Sequence, residues 1–98
     1  MKKKVRLSLE EIKIIKDIIK KYDENAKVIL FGSRVDLNKK GGDIDLLIIS
    51  KKIDLKKILD IKADFFIYFG DRKIDLIVTD NIEQNSFYKF AFQSGVEL

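Results

Sequence analysis

The chain has 98 residues, 46% of them hydrophobic and 37% charged, and its 20 Lys and Arg outnumber its 16 Asp and Glu by four. This length supports one hydrophobic core, so we predict a single globular domain over residues 1–98. Cys and His are absent, which excludes disulfides, thiol nucleophiles, Cys/His zinc sites and Ser-His-Asp arrangements. Any catalysis must therefore use Asp, Glu, Lys, Arg, Ser, Thr or Tyr.

The distribution of apolar and basic residues bears on location and partners. The apolar runs are far shorter than the roughly 20 residues that span a bilayer. Polar residues also interrupt the segment after the N-terminal lysines, so no signal peptide is predicted and we expect a cytoplasmic protein. The lysines are scattered and mostly lie beside acidic residues, which favours solvated faces over a nucleic-acid-binding surface.

Periodicity, capping residues and glycines divide the chain into helices and strands. Ser8 with Glu11 forms a capping box ahead of apolar residues at helical spacing. A short apolar run that stops at Gly32 is typical of a buried strand, and Gly70 is placed to end a helix. The predicted elements are helix 9–22, strand 26–31, loop 34–42, strand 44–50, helix 54–69, strand 73–79 and helix 86–92.

Three aspartates interrupt the apolar strand patterns: Asp43 and Asp45 at the second strand, and Asp75 in the third. A buried carboxylate costs several kcal/mol unless it is paired or binds a metal. Residues i and i+2 of a strand share a face about 6.6 Å apart, so Asp43 and Asp45 can reach one cation or bridge two. Carboxylates suit hard cations such as Mg²⁺. Ion pairs are the alternative explanation: a Lys or Arg could hold Asp43 and Asp45, and Lys73 or Arg72 could pair with Asp75 on an edge strand.

A site that brings together the three aspartates and the turn after the first strand constrains the strand directions of the sheet. The first two strands must be antiparallel if the turn after the first is to meet Asp43. The second and third must be parallel, with a right-handed helical crossover, if Asp75 is to join Asp43 and Asp45. We therefore predict an α/β (α+β) domain with a small mixed three-stranded sheet flanked by helices. The alternation then places all three aspartates on one face and these apolar residues on the other: Ile44, Leu46, Ile48, Ile74, Leu76 and Val78.

The turn after the first strand offers groups that suit a phosphate. Gly32 and Ser33 present backbone N–H groups and a hydroxyl, and Arg34 adds a fixed positive charge. A Gly-Ser dipeptide is by itself commonly a structural turn. Its value here comes from the combination with the three aspartates.

The combined pattern resembles the minimal nucleotidyltransferases of the DNA polymerase β superfamily. That pattern is a hydrophobic residue with Gly-Ser, a spacer, Asp-x-Asp, and a third Asp within an apolar strand. The resemblance implies that Asp43, Asp45 and Asp75 hold two Mg²⁺ ions and that Asp75 helps to activate the attacking hydroxyl. It also implies that the turn at Gly32, Ser33 and Arg34 holds the phosphates of ATP.

Minimal domains of this pattern are usually the antitoxins of two-gene modules whose other product is a helical HEPN ribonuclease toxin. The resemblance implies transfer of AMP from ATP to a Tyr of that toxin, together with direct binding. Two alternatives stay open: a catalytically idle binding antitoxin, and nucleotidyl transfer to a small-molecule hydroxyl. Three retained carboxylates favour the enzyme.

Aromatic residues are concentrated at the end of the predicted helix 54–69 and throughout the predicted helix 86–92, in residues 65–69 and 87–92. A small sheet with a few helices covers only part of this bulk, so we predict an exposed apolar patch that binds a partner. Self-association into a homo-oligomer is a second use of such a patch, and packing as core is the alternative to both.

Overall fold

A computed structural model of the chain describes residues 7–32 and 43–98. These residues form three α-helices and four strands, with a short 3-10 helix at Ile82–Gln84. In chain order they are α1 (Leu9–Tyr22), β1 (Lys27–Phe31), β2 (Ile44–Ile49), α2 (Leu55–Phe69), β3 (Ile74–Thr79), α3 (Ser86–Ser94) and β4 (Val96–Glu97).

The helices begin where side chains cap them. The Ser8 hydroxyl accepts a hydrogen bond from the Glu11 amide at 3.0 Å, and the Ser8 amide donates to Glu11 Oε1 at 2.8 Å, which completes the predicted capping box. Asp54 accepts from the Lys57 amide at the start of α2, and α2 ends at Gly70, whose φ is +67°. The apolar residues 65–69 therefore belong to a helix, as predicted.

The sheet has the order β3-β2-β1-β4. β1 and β2 are antiparallel, and β2 and β3 are parallel and joined through α2, which confirms the predicted mixed sheet. The prediction of three strands is wrong by one, because β4 adds to the free edge of β1. β4 has only two residues, too few for a period of two to be recognised in the sequence.

Helices cover both faces of the sheet. α1 and α2 pack on one face, where Ile15, Ile19, Ile61 and Phe65 meet the inward residues of the strands. α3 packs on the other face, where Ala91 lies against a second apolar cluster: Ile29, Phe31 and Leu47. The predicted separation of the strand residues holds, since Ile44, Leu46 and Ile48 lie in the first cluster.

Several large apolar side chains remain exposed in the described part of the chain. On α2 they are Leu55, Leu59, Phe66, Ile67 and Tyr68, which we call the α2 surface, and on α3 they are Phe87 and Phe90. Phe65 is buried, so the aromatic bulk is divided between core and surface. No helix of the described residues is long and apolar enough to cross a membrane.

Candidate active site

The strand register brings two of the predicted aspartates together. Asp45 of β2 lies directly opposite Asp75 of β3, and Phe31 of β1 lies opposite Asp45 from the other side. Paired residues on neighbouring strands point to the same face of a sheet. Both carboxylates therefore lie on the face that carries α3, at the end of the sheet where β1 stops and β2 and β3 begin.

Asp45 is held in surroundings that oppose its charge. Burial raises the pKa of its carboxyl above the ordinary value, and the negative charges of Asp75 and Asp43 and a hydrogen-bonding contact with Asp75 raise it further. Only Lys73 acts in the opposite direction among the leading causes. A carboxylate in this position would be stabilised by a bound cation.

Asp43 immediately precedes β2 and is more exposed than its two partners. Lys73 Nζ lies 3.5 Å from Asp43 Oδ2, and the Ile44 amide donates to the Lys73 carbonyl, which fixes the two chain segments side by side. The sequence suggested Lys73 or Arg72 as an alternative partner for Asp75. Among the described residues Lys73 instead pairs with Asp43, and Arg72 pairs with Glu11 of α1.

Gly32 closes the site from the β1 side. Its φ is +78°, a conformation that side chains rarely adopt, and an added Cβ would lie 2.5 Å from Asp45 Oδ2. A glycine is therefore required both by the backbone and by the carboxylate against it. The predicted phosphate-binding residues Ser33 and Arg34 lie outside the described residues.

The donor chemistry of the site fits a hard divalent cation, because its three candidate ligands are all carboxylates and one of them has a raised pKa. Within residues 7–32 and 43–98, however, no three acidic side chains are already gathered closely enough to hold a metal ion. Asp45 and Asp75 are adjacent, whereas Asp43 is turned to Lys73.

A cavity of about 520 Å³ lies at the opposite end of the sheet, lined by residues that include Ser50, Asp80 and Phe92. The carboxylate pair lies nowhere near it. A smaller cleft of about 350 Å³ is lined by Asp75 and Lys73 together with Phe66 of α2. We place the candidate site at the carboxylates because like charges held together, with a raised pKa at Asp45, indicate chemistry better than cavity volume does.

Comparison with known families identifies the class of this domain. The model of the family described as Polymerase beta, Nucleotidyltransferase matches residues 13–98, which include every strand of the sheet and all three aspartates. The chain therefore belongs to this nucleotidyltransferase family, and the mixed sheet with its flanking helices is consistent with the family's fold. Comparison with curated proteins gave no match.

Two features near the site were not predicted from the sequence. The ion pair of Lys73 with Asp43 could have been suspected, because Lys73 stands at the start of a strand parallel to the one that Asp43 precedes. The ring of Phe87 in α3 packs against Phe31, beside Gly32, with the ring centres 5.8 Å apart. No local pattern indicates that contact, since it joins residues far apart in the chain.

Proposed function

We propose that the chain is a Mg²⁺-dependent nucleotidyltransferase that transfers AMP from ATP to a Tyr hydroxyl of a partner HEPN toxin, and so acts as its antitoxin. Membership of the nucleotidyltransferase family supports the reaction class. The observation that carries the proposal is the register that sets Asp45 opposite Asp75 with Gly32 against Asp45. The metal is an inference from the resemblance and the site chemistry, whereas the toxin partner and its Tyr are inferences from the resemblance alone, as is the choice of ATP.

Each residue of the site has a role in this proposal. Asp43 and Asp45 would hold two Mg²⁺ ions, and Asp75 would complete the ligands of the one nearer the acceptor. Mg²⁺ in such a site neutralises charge on the phosphates and on the attacking and leaving oxygens. Gly32 would let the backbone approach the nucleotide closely, and Ser33 and Arg34 would supply a hydroxyl and a positive charge.

The transfer is a displacement at the α-phosphorus of ATP. The acceptor oxygen forms a bond to that phosphorus, and the bond to the bridging oxygen breaks, so pyrophosphate leaves with the electron pair. The hydroxyl proton passes to the Asp75 carboxylate and then to solvent.

The α2 surface supports a protein acceptor. Phe66 and Tyr68 are each 63% exposed and Ile67 is 75% exposed, although each could have been a core residue. Phe66 also lines the cleft that contains Asp75. A partner bound to this surface could extend from Phe66 along the cleft to Asp75 at the edge strand β3, and from there to the face that carries the carboxylates.

A catalytically idle antitoxin is the second candidate. It is favoured by one observation, namely that Asp43 is paired with Lys73 and the three carboxylates are not gathered for a metal in the described residues. Such a protein would neutralise its toxin through the α2 surface alone. The two candidates differ in whether the bound toxin is covalently modified with AMP.

The experiment is to purify the chain with the product of the neighbouring gene, which the proposal expects to be a HEPN protein, add ATP and Mg²⁺, and measure intact mass and peptide masses. The enzyme predicts one or more added AMP groups on a Tyr of the partner, lost in Asp45→Asn although the complex persists. Binding without any added mass in the wild type would support the idle antitoxin instead. Absence of both a complex and a modified partner would overturn both candidates.

A further inference from the structure

An aromatic ring on α3 lies beside the mouth of the candidate site. Phe31 is opposite Asp45 in the register and is buried, and its ring meets that of Phe87 edge to face, with an interplanar angle of 81°. The Cα atoms of Asp45 and Phe31 lie about 5 Å apart, as in any directly opposed antiparallel pair. The ring centres of Phe31 and Phe87 lie 5.8 Å apart. Phe87 is therefore within reach of a ligand that extends from the carboxylates.

Phe87 is also available to a ligand. Its side chain is 49% exposed, so the contact with Phe31 fixes one side of the ring while much of it faces solvent. An edge-to-face pair restrains the orientation of both rings. The result is a partly immobilised flat apolar surface next to charged groups, and a nucleotide has the matching combination of a flat base and charged phosphates.

We propose that Phe87 is the surface on which the base of the nucleotide stacks. The inference rests on the proposed nucleotidyltransferase function, and it assigns the base to the α3 side of the site while the phosphates lie at Asp45 and Gly32. Stacking of a base on an aromatic side chain depends on the flat face that all bases share. Phe87 therefore positions any nucleoside triphosphate, and purines are held more firmly because they overlap the ring more fully.

Phe90 provides a matched comparison. It lies one turn further along the same helix and is 62% exposed, and it has no ring contact with Phe31 or with another described aromatic residue. It resembles Phe87 in residue type, helix and exposure but lacks the contact with Phe31 that places Phe87 beside the site. A general effect of changing an exposed α3 ring would appear at both positions.

The test uses the absence of Trp from this chain. In Phe87→Trp and in Phe90→Trp the new indole is the sole one, so its fluorescence reports directly on its surroundings. We expect ATP with Mg²⁺ to quench the fluorescence of F87W in a saturable way, and to leave that of F90W unchanged. Inorganic tripolyphosphate has no base and should quench neither.

Calorimetry with the wild type, Phe87→Ala and Phe90→Ala keeps the inference separate from the proposed function. We expect F87A to bind ATP about tenfold more weakly than the wild type does, and the ATP affinity of F90A to change less than about twofold. The affinity for tripolyphosphate should change less than about twofold in both variants. If the wild type binds ATP but F87A binds equally well and F87W is not quenched, the stacking inference is wrong and the proposed function survives. If the wild type binds no nucleotide, both are overturned.

Discussion

Two aspartates at opposite ends of the sheet show how differently the fold treats the same side chain. Asp23 follows α1 and is only 6% exposed, and its carboxylate accepts hydrogen bonds from the Ser50 hydroxyl at 2.6 Å and the Asn25 amide at 3.0 Å. These bonds, the one from Ser50 first, lower the pKa of Asp23. Burial and two acidic neighbours instead raise the pKa of Asp45.

The difference separates a structural carboxylate from a functional one. The charge of Asp23 is satisfied within the fold, so it joins the end of α1 to the end of β2. The charge of Asp45 is opposed by its surroundings, so the fold keeps it at some cost in stability. Removal of each charge should therefore have opposite consequences for folding and for function.

The largest expected effect is on transfer. Asp75→Asn keeps the size of the side chain and removes a charge that faces Asp45, so we expect transfer to fall by about a thousandfold while the domain stays folded. Asp80→Asn is the control, because Asp80 follows the other end of the same strand and is exposed. A radiolabelled ATP assay measures both, and comparable activity in the two variants would remove Asp75 from the site.

A second prediction concerns the close contact of Gly32 with Asp45. In Gly32→Ala the new Cβ would displace the Asp45 carboxylate, so we expect about a hundredfold loss of transfer from misplacement of this group. Gly70→Ala is the control, since Gly70 also has a positive φ but has no atom within 4 Å of an added Cβ. Both variants should lose about 1–2 kcal/mol of stability to backbone strain.

If Gly32→Ala and Gly70→Ala are similarly stable but differ greatly in activity, Gly32 is needed to leave room for the Asp45 carboxylate. Equal activity of the two variants, measured alongside urea unfolding, would reduce Gly32 to a turn residue.

The third prediction tests the satisfied carboxylate. Asp23→Asn weakens its bond with Ser50, so the free energy of unfolding at neutral pH should fall by about 1.5 kcal/mol, with nucleotide binding unchanged. Asp17→Asn, an exposed change on α1, should shift stability by less than about 0.5 kcal/mol. Urea unfolding decides the point, and a stability equal to that of the wild type would mean that Asp23 has no structural role.

The smallest expected effect is a gain in stability on removal of the Asp45 charge, opposite in sign to the loss expected at Asp23. Asp45→Asn should raise stability at neutral pH, because like charges directly opposite across strands are destabilising, and cross-strand pairs are worth about 0.2–1 kcal/mol. Because the folded pKa of Asp45 is raised, the wild type regains this stability as the pH falls through that value, and the gain of the variant should vanish in acid.

Asp23 behaves in the reverse sense under acid. Its lowered pKa gives stability that is present above the ordinary value of 3.8 and is lost as the pH falls through the folded value. The deficit of Asp23→Asn should therefore also shrink in acid. Urea unfolding of the wild type and both variants from neutral to acid pH checks whether each difference in stability shrinks as expected. A loss of stability in Asp45→Asn at neutral pH would contradict the contrast between Asp45 and Asp23.

The sequence by itself determined the helices, three of the strands and their directions. Capping residues at Ser8 and Asp54 and the alternation around Asp45 and Asp75 are local patterns, and each is imposed by the geometry of a single helix or strand. The requirement that the acidic residues meet then fixed the parallel and antiparallel pairing, and the register of β2 with β3 agrees.

Only the tertiary structure decided which groups are partners. The bond between Asp23 and Ser50, the choice of Lys73 for Asp43, the contact of Gly32 with Asp45 and the packing of Phe87 on Phe31 each join separate elements. β4 belongs with them, because two residues form a strand only when the free edge of β1 supplies hydrogen-bond partners. Such contacts depend on how elements pack in space, which periodicity along one element does not encode.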